Sequence, residues 1–151
     1  MPKRVALAVA VTVLSLPLCV TAGLAAAANG SAPAAKTAEV KPYKVEDGKV
    51  DPGTYNGYRR YGESCLRCHG PDGAGSSYAP ALTDSLKQMD YDTFAETVIN
   101  GRKNVNTANS NVMPSFGTTE DVANYLEDIY GYLKARSDGA IGRGRPQRIG
   151  D

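Results

Sequence analysis

The stretch Cys65-Leu66-Arg67-Cys68-His69 decides how the chain folds and what it carries. Two cysteines separated by two residues and followed at once by histidine form the attachment motif of c-type haem. This spacing places both thiols along the porphyrin edge that bears the two vinyl groups, and it holds the histidine beneath the iron as a ligand. The motif therefore predicts one covalently bound haem c, attached through Cys65 and Cys68 and ligated by His69.

Three other interpretations of the motif fit the sequence less well. A structural zinc site usually needs four Cys or His ligands, whereas the chain has three cysteines and one histidine, and Cys19 lies far from the motif. A thioredoxin-like redox pair requires a surrounding βαβ pattern, which the sequence does not show. A disulfide between Cys65 and Cys68 would leave His69 without a role.

Residues 1–28 have the pattern of a secretory signal peptide, with a positive start, an uncharged apolar core and alanines at 26–28. A retained membrane anchor and a lipoprotein modified at Cys19 are the alternatives. Pro17 and the alanine-rich end argue against the anchor, and Leu18 occupies a position where a lipobox needs a small residue. We expect export to the periplasm, removal of this segment and no stable membrane anchor.

Length and charge narrow the class of protein further. Removal of the leader leaves about 120 residues, enough for one small domain with tails. The whole chain has 17 basic and 16 acidic residues, and loss of Lys3 and Arg4 with the leader makes the remainder slightly acidic. Such a charge excludes nucleic acid as a partner class. A small core also benefits from a large apolar cofactor at its centre.

Helix signals flank the motif on both sides. Asp51-Pro52 is typical of a helix start, and the helix that follows carries an aromatic face at i, i+3 spacing. We expect this face, which consists of Tyr55, Tyr58 and Tyr61, to pack beside the haem.

Two more helices are predicted after the motif. Asp90 caps a helix over 91–100 that ends at Gly101. Thr118 and Asp121 resemble a capping box, and the apolar residues after them follow helical spacing. These residues are Val122, Tyr125, Leu126, Ile129, Tyr130 and Leu133. No strand-like alternation is evident, and residues 102–110 are interpreted as a polar loop.

Two methionines outside the leader could close the sixth position of the iron. Met113 lies in a segment interpreted as an irregular loop between helices, where Pro114 keeps the residue before it extended. Met89 ends a short amphipathic stretch that is more typical of a core residue. We predict that Met113 is the second axial ligand, an arrangement that blocks substrate access and favours electron transfer over oxygen chemistry.

With these residues in place, the chain resembles a monohaem class I cytochrome c, and more narrowly the periplasmic cytochromes of methanol metabolism. The resemblance extends over about 100 residues, the size of one domain. The blocks that carry it are 47–51, 54–61, 68–73, 78–82, 100–102, 112–117, 132–139 and the Gly-Arg-Gly-Arg-Pro tail at 142–146. One departure is that residues 122–125 read Val-Ala-Asn-Tyr, where the methanol-related family has a cysteine of a second pair.

The resemblance implies an all-α fold, the compact cytochrome c fold of about three to five helices wrapped around one covalently bound haem. We expect a flexible segment over 29–46, the cytochrome domain over 47–136 and a Gly/Arg-rich tail over 137–151. In such cytochromes a loop passes beside the histidine ligand. A backbone carbonyl near Pro80 would then accept a hydrogen bond from the other nitrogen of His69, the alternative being a plain surface loop.

The resemblance also implies a function. It predicts a monomeric periplasmic electron carrier, not an enzyme, that accepts electrons from a dehydrogenase containing pyrroloquinoline quinone (PQQ) and oxidising methanol or another alcohol. The electrons would pass to a downstream cytochrome or a terminal oxidase. A generic carrier without a dedicated dehydrogenase and a haem enzyme or sensor with an open sixth position are the alternatives. The tail arginines either dock a partner or pack on the chain's own surface; they are Arg136, Arg143, Arg145 and Arg148.

Overall fold

The computed structural model describes residues 41–105 and 110–151. The predicted signal peptide over 1–28 and the following residues up to 40 lie outside this part of the chain. The described part contains three α-helices of ten or more residues, three single α-helical turns and one 3-10 turn at Pro71–Gly73. In chain order the α-helical elements are α1 (Pro52–Ser64), α2 (Leu66–His69), α3 (Leu82–Ser85), α4 (Tyr91–Asn100), α5 (Glu120–Ala123) and α6 (Leu126–Ser137). The predicted all-helical class is confirmed, and no helix in the described ranges is long and apolar enough to cross a membrane.

Helix α1 begins as the sequence predicts. The Asp51 carboxylate accepts hydrogen bonds from the Thr54 backbone N–H at 3.0 Å and from the Thr54 hydroxyl at 2.6 Å, and Pro52 is the first helical residue. Burial alone would raise the pKa of Asp51, but these hydrogen bonds outweigh burial and lower it. The stabilisation from Asp51 is therefore present above the pKa of the unfolded chain and is lost as the pH falls through the folded pKa.

Helix α4 also matches its prediction. The Asp90 carboxylate accepts a hydrogen bond from the Thr93 N–H at 2.9 Å, and the helix ends at Gly101, whose φ is +75°. An L side chain rarely adopts this backbone conformation. A Cβ at this position would also lie 2.6 Å from the Met113 carbonyl oxygen, so glycine allows the next strand to approach closely.

The interpretation of residues 102–110 as a polar loop is wrong for residues 102–105 and 110, which belong to strands, while residues 106–109 lie outside the described part of the chain. Strand β3 (Arg102–Val105) pairs antiparallel with β4 (Ser110–Met113), with Arg102 opposite Met113. Met113 therefore ends a strand instead of lying in an irregular loop. These strands have four residues each and only one or two apolar residues, so they show almost no apolar alternation and the sequence pattern could not reveal them.

A second small sheet joins the two ends of the described domain. Strands β1 (Val45–Glu46) and β2 (Lys49–Val50) form an antiparallel hairpin, and β5 (Gln147–Arg148) pairs with β2 in parallel. The sheet order is β1-β2-β5. Two residues of the Gly/Arg-rich tail, Gln147 and Arg148, are therefore part of a β-sheet.

The last predicted helix is divided in two. Its expected capping box is absent: the N-cap of α5 is Thr119, not Thr118, and Thr119 makes no side-chain capping bond. The Asp121 carboxylate instead accepts a hydrogen bond from Arg60 of α1 at 2.7 Å. The helical path is interrupted at Tyr125, whose ring lies 4.3 Å from the Arg60 guanidinium. Both contacts join the segment between Asp121 and Tyr125 to α1. The structure therefore has two separate helices, α5 and α6, where one was predicted.

Helix α6 packs across α1 to form the centre of the core. The crossing is close because a glycine lies at the contact: a Cβ on Gly57 would lie 1.9 Å from the Asp128 carbonyl oxygen. Seven large side chains of the core are almost completely buried. They are Tyr61, Tyr132, Leu86, Ile129, Leu133, Val50 and Val122.

Replacing Gly57 should therefore disrupt the α1–α6 crossing. We expect Gly57→Ala to lower the free energy of unfolding by about 3 kcal/mol, because the backbones must separate to admit the methyl group. Gly62→Ala in the same helix is the control, since a Cβ at Gly62 meets nothing within 4 Å; this change should stabilise the protein by about 0.5 kcal/mol. Urea unfolding of both variants measures the difference, and equal stabilities would contradict a tight crossing.

Candidate functional site

The attachment motif folds as a single helical turn directly after α1. The Cys68 and His69 N–H groups both donate to the Cys65 carbonyl, at 3.2 Å and 3.0 Å. Residues three and four apart in a helical turn lie on one face. The two thiols and the imidazole therefore share one side of the turn, which is the arrangement that attachment and ligation of a haem require.

Both thiols are free in the structure, with Cys65 half-buried and Cys68 exposed. Burial, with a smaller contribution from Cys68, raises the pKa of the Cys65 thiol to about 11. A catalytic redox cysteine needs a lowered pKa, since the thiolate is the nucleophile. The environment of Cys65 thus disfavours the thioredoxin-like interpretation.

The imidazole of His69 is buried and fixed by one hydrogen bond. Its Nδ1 lies 3.1 Å from the Pro80 carbonyl oxygen. A carbonyl oxygen can only accept, so the ring proton is on Nδ1 and the lone pair of Nε2 is free for a metal. In the described ranges Nε2 has no hydrogen-bond partner.

The loop after the motif folds back against it. The Gly75 N–H donates to the His69 carbonyl at 2.7 Å, and the Ser76 hydroxyl donates to the Cys68 carbonyl. Gly70 has a φ of +72°, and a Cβ there would lie 2.2 Å from the Gly75 carbonyl oxygen. Glycine at position 70 is therefore required for the loop to carry Pro80 to His69.

A buried tyrosine holds the same loop from the other side. Tyr61 Oη accepts a hydrogen bond from the Gly73 N–H at 3.0 Å and donates to the Gly70 carbonyl. Burial raises the pKa of Tyr61 to about 12, so the hydroxyl stays protonated and can act as a donor. The predicted aromatic face is present, but the role of Tyr61 in fixing the loop was not predicted. The sequence did contain one signal for this role, since position 61 has a tyrosine, whose hydroxyl can form hydrogen bonds, and not a phenylalanine.

The other tyrosines of that face continue the cluster. The Tyr58 and Tyr61 rings each lie 5.6 Å from the ring of Tyr132 in α6. Tyr132 is fully buried, and its hydroxyl has no hydrogen-bond partner among the described residues. Burial also raises the pKa of Tyr132 strongly. The rings thus pack as core residues, as expected.

Met113 is half-buried against the core, at the end of β4. The residues that follow it are fastened to the end of α4: the Phe116 N–H donates to the Val98 carbonyl at 3.0 Å, and the Gly117 N–H donates to Ile99 at 3.2 Å. The position of Met113 is thus set by α4 and β3. Met89 is also half-buried against the core, directly before the cap of α4.

The tail packs on the chain's own surface near the motif. Asp72, in the loop after His69, accepts hydrogen bonds from Arg143 Nε at 3.2 Å and from the Gly144 N–H at 3.0 Å. Arg136 donates to the Asp72 carbonyl at 3.4 Å, and Arg145 donates to the Tyr55 hydroxyl. Of the two roles considered for the tail arginines, these contacts favour packing on the chain itself.

The residues present suit a covalently bound haem better than a bare metal ion. The described ranges contain no group of three or more His, Cys, Asp or Glu side chains that could hold a metal ion. They do contain two free thiols and one imidazole on the same helical turn, with the ring oriented and its Nε2 available. This set matches the attachment and ligand chemistry of c-type haem.

Comparison with known proteins identifies the family. The family described as "Cytochrome C oxidase, cbb3-type, subunit III" matches residues 54–133, a range that includes the attachment motif and Met113. The chain belongs to the c-type cytochromes. Membership implies a covalently bound haem c, and it confirms the family predicted from the sequence.

Three relatives support this assignment. Cytochrome c-553I of Paracoccus denitrificans is 52% identical over 114 residues, which are 75% of this cytochrome and 50% of the relative. This cytochrome thus spans half the length of that protein. Cytochrome c-555 of Methylococcus capsulatus is 40% identical over 100 residues, or 66% of this chain and 75% of the relative. The crystal structure of c-type cytochrome XoxG from Methylobacterium extorquens AM1 superimposes with a TM-score of 0.65 at 48% identity, covering 72% of this chain and 67% of that one.

The two buried tyrosines provide a matched test of the loop contact. Tyr61→Phe should lower the free energy of unfolding by about 2 kcal/mol, because the Gly73 N–H loses its partner inside the protein. Tyr132→Phe removes a hydroxyl without a partner and should leave stability unchanged or raise it. Thermal unfolding of both variants measures the difference. A larger loss for Tyr132→Phe would contradict the role of Tyr61.

Proposed function

We propose that this cytochrome is a one-electron carrier of the periplasm, with a single haem c attached at Cys65 and Cys68. His69 and Met113 are the proposed axial ligands, and Pro80 is the proposed hydrogen-bond acceptor behind His69. The observation that carries the proposal is the orientation of His69, whose Nδ1 lies 3.1 Å from the Pro80 carbonyl oxygen. A carbonyl acceptor of this kind fixes the ring and increases the basicity of the ligating nitrogen.

Each residue has a defined part in this function. The bound haem supplies the one-electron redox chemistry. The thiols at 65 and 68 keep it attached, and His69 presents Nε2 from a buried, fixed ring. Met113 would fill the remaining position with a thioether, which raises the reduction potential and leaves no open site for a substrate. Because both axial positions of the iron would be filled by protein ligands, no substrate could bind to the iron, and the protein would act as an electron carrier and not as an enzyme.

The proposed electron donor is a PQQ-dependent alcohol dehydrogenase, with methanol as the first candidate alcohol. The proposed acceptor is a downstream cytochrome or a terminal oxidase. The resemblance to methanol-related cytochromes supports this pathway, while the absence of their second cysteine pair leaves a generic carrier as the second candidate.

The ligand assignment is tested by exchanging the two methionines separately. Oxidised protein should show the weak far-red absorption band of methionine bound to ferric haem. Met113→Ala should abolish this band and lower the reduction potential, because the thioether favours the ferrous state. Met89→Ala is the control and should retain both. Loss of the band in the Met89 variant alone would reverse the assignment.

The attachment site is tested by extraction. Acid–acetone should leave the colour with the polypeptide of the unaltered protein, because thioether bonds resist this treatment. After Cys65→Ala together with Cys68→Ala, any residual colour should move to the organic phase. Colour that stays with the doubly substituted polypeptide would exclude these cysteines as the attachment points.

A further inference from the structure

The loop between His69 and Pro80 contains a residue in an unusual backbone conformation. Asp72 has a φ of +59°, although it lies in a 3-10 turn, where φ is ordinarily negative. Asp47 also has a positive φ, but it belongs to the turn of the β1–β2 hairpin, a position that favours this conformation. No such turn accounts for Asp72, so the contacts that stabilise its conformation come from elsewhere in the chain.

Those contacts come from the end of the chain. The Asp72 side chain is only 11% exposed, and its carboxylate accepts hydrogen bonds from Arg143 Nε at 3.2 Å and the Gly144 N–H at 3.0 Å. The Asp72 carbonyl accepts a hydrogen bond from Arg136 Nε at 3.4 Å. Arg136 also donates to the Ile141 carbonyl at 2.7 Å, so one side chain joins the loop to the tail. A sparsely populated backbone conformation persists where its surroundings fix it, and here the tail does so.

The tail is itself fixed on both sides of its contact with Asp72. Before this contact, the side chain of Ile141 is buried in the core. After it, strand β5 pairs with β2. Residues 142–146, called the strap below, therefore cross the loop between two anchored points. A segment held in this way can resist displacement of the loop.

Asp72 lies in the middle of the loop that orients the histidine. The Tyr61 hydroxyl contacts the backbone of Gly70 on one side of Asp72 and that of Gly73 on the other. A displacement at Asp72 would disturb both contacts. It would also be passed along the chain to the Pro80 carbonyl, because the same loop carries that group.

We propose that Asp72 and Arg143 are positioning residues for His69, and that the strap sets the reduction potential of the bound haem by holding the Pro80 carbonyl against His69 Nδ1. The inference rests on the proposed function, because it concerns the proposed iron ligand. A hydrogen bond at Nδ1 increases the basicity of the ligating nitrogen, and a more basic ligand stabilises ferric iron. A loosened strap weakens this bond and therefore raises the reduction potential.

The sign of the change separates positioning from an effect of charge through space. Asp72 is negative and Arg143 is positive. If charge alone acted on the iron, removal of the negative charge would raise the reduction potential and removal of the positive charge would lower it. Positioning predicts a rise in both cases, because either removal breaks the same contact between the strap and the loop.

The test uses single neutral substitutions in the full-length protein with its haem attached. Asp72→Asn keeps a residue that tolerates the left-handed conformation, and Arg143→Gln leaves the backbone of the strap unchanged. Redox titration should show a higher reduction potential for both. The double variant should show no further rise, because its two changes remove one shared contact. Opposite shifts in the two single variants, or a fall in both, would overturn the proposal.

A control substitution in the same tail removes a charge without touching the loop. Arg148 pairs with Asp151 in the last residues of the chain. Arg148→Gln has the same change in net charge as Arg143→Gln and should retain the reduction potential of the unaltered protein. An equal rise in this control would also contradict a specific role of Asp72 and Arg143.

Hydrogen exchange measures the positioning without using the redox reaction. In D₂O, the Gly73 N–H and the His69 Nδ1–H should exchange about tenfold faster in Asp72→Asn and Arg143→Gln, because the loop opens more often. The Phe116 N–H, which donates to the Val98 carbonyl at the end of α4, is the internal reference and should keep its rate. The same acceleration at Phe116 would indicate general loosening and would overturn a positioning role.

Failure of this inference and failure of the proposed function give different results. If dithionite produces no spectral change in the purified protein, the proposed function is wrong and the inference is wrong with it. If the unaltered protein is reduced normally but Asp72→Asn and Arg143→Gln retain its reduction potential, only the inference is wrong. This second result counts against the strap even where hydrogen exchange is faster, because the loop would then move without affecting the histidine.

Discussion

The hydrogen bond between His69 Nδ1 and the Pro80 carbonyl is the constraint on which the site depends. It fixes the ring, determines which nitrogen carries the proton and leaves Nε2 available. Most of the surrounding backbone serves to bring that carbonyl into place. Gly70 allows the chain to reverse, Gly75 binds back to the His69 carbonyl, and Tyr61 holds the loop from within the core.

The crossing of α1 and α6 positions the loop that follows His69. Tyr61 belongs to α1 and packs against Tyr132 of α6, so its hydroxyl is positioned by the same contact that forms the core. The close approach at Gly57 sets the distance between the two helices. A change at the crossing would therefore affect the histidine through Tyr61 and the loop, although Gly57 lies about two helical turns before the motif.

The sequence was sufficient where a local rule determines the structure. The attachment motif, the cap at Asp51 and the stop at Gly101 each depend on a few neighbouring residues. The family followed from the motif and the blocks around it. The contact between His69 and Pro80 lies where the resemblance placed it, and its role toward a haem stays a prediction.

The features that the sequence missed depend on distant partners. Asp121 was assigned to a capping box, but its carboxylate accepts a hydrogen bond from Arg60, which precedes it by 61 residues. Strands β3 and β4 are defined by pairing with each other and not by their composition. The fixing of Asp72 by the tail spans 71 residues. Periodicity cannot detect such contacts, because each partner alone has no distinctive pattern.

The parallel pairing of β2 with β5 has a consequence for the order in which the molecule assembles. Val50 accepts a hydrogen bond from the Ile149 N–H at 2.8 Å, so the third strand of the sheet arrives about a hundred residues after the first two. During synthesis from the amino end, the β1–β2 hairpin and the attachment turn emerge while their final neighbours are still missing. The contacts of the tail with Asp72 therefore form only once the whole chain is available, and the loop that holds His69 lacks those contacts until then.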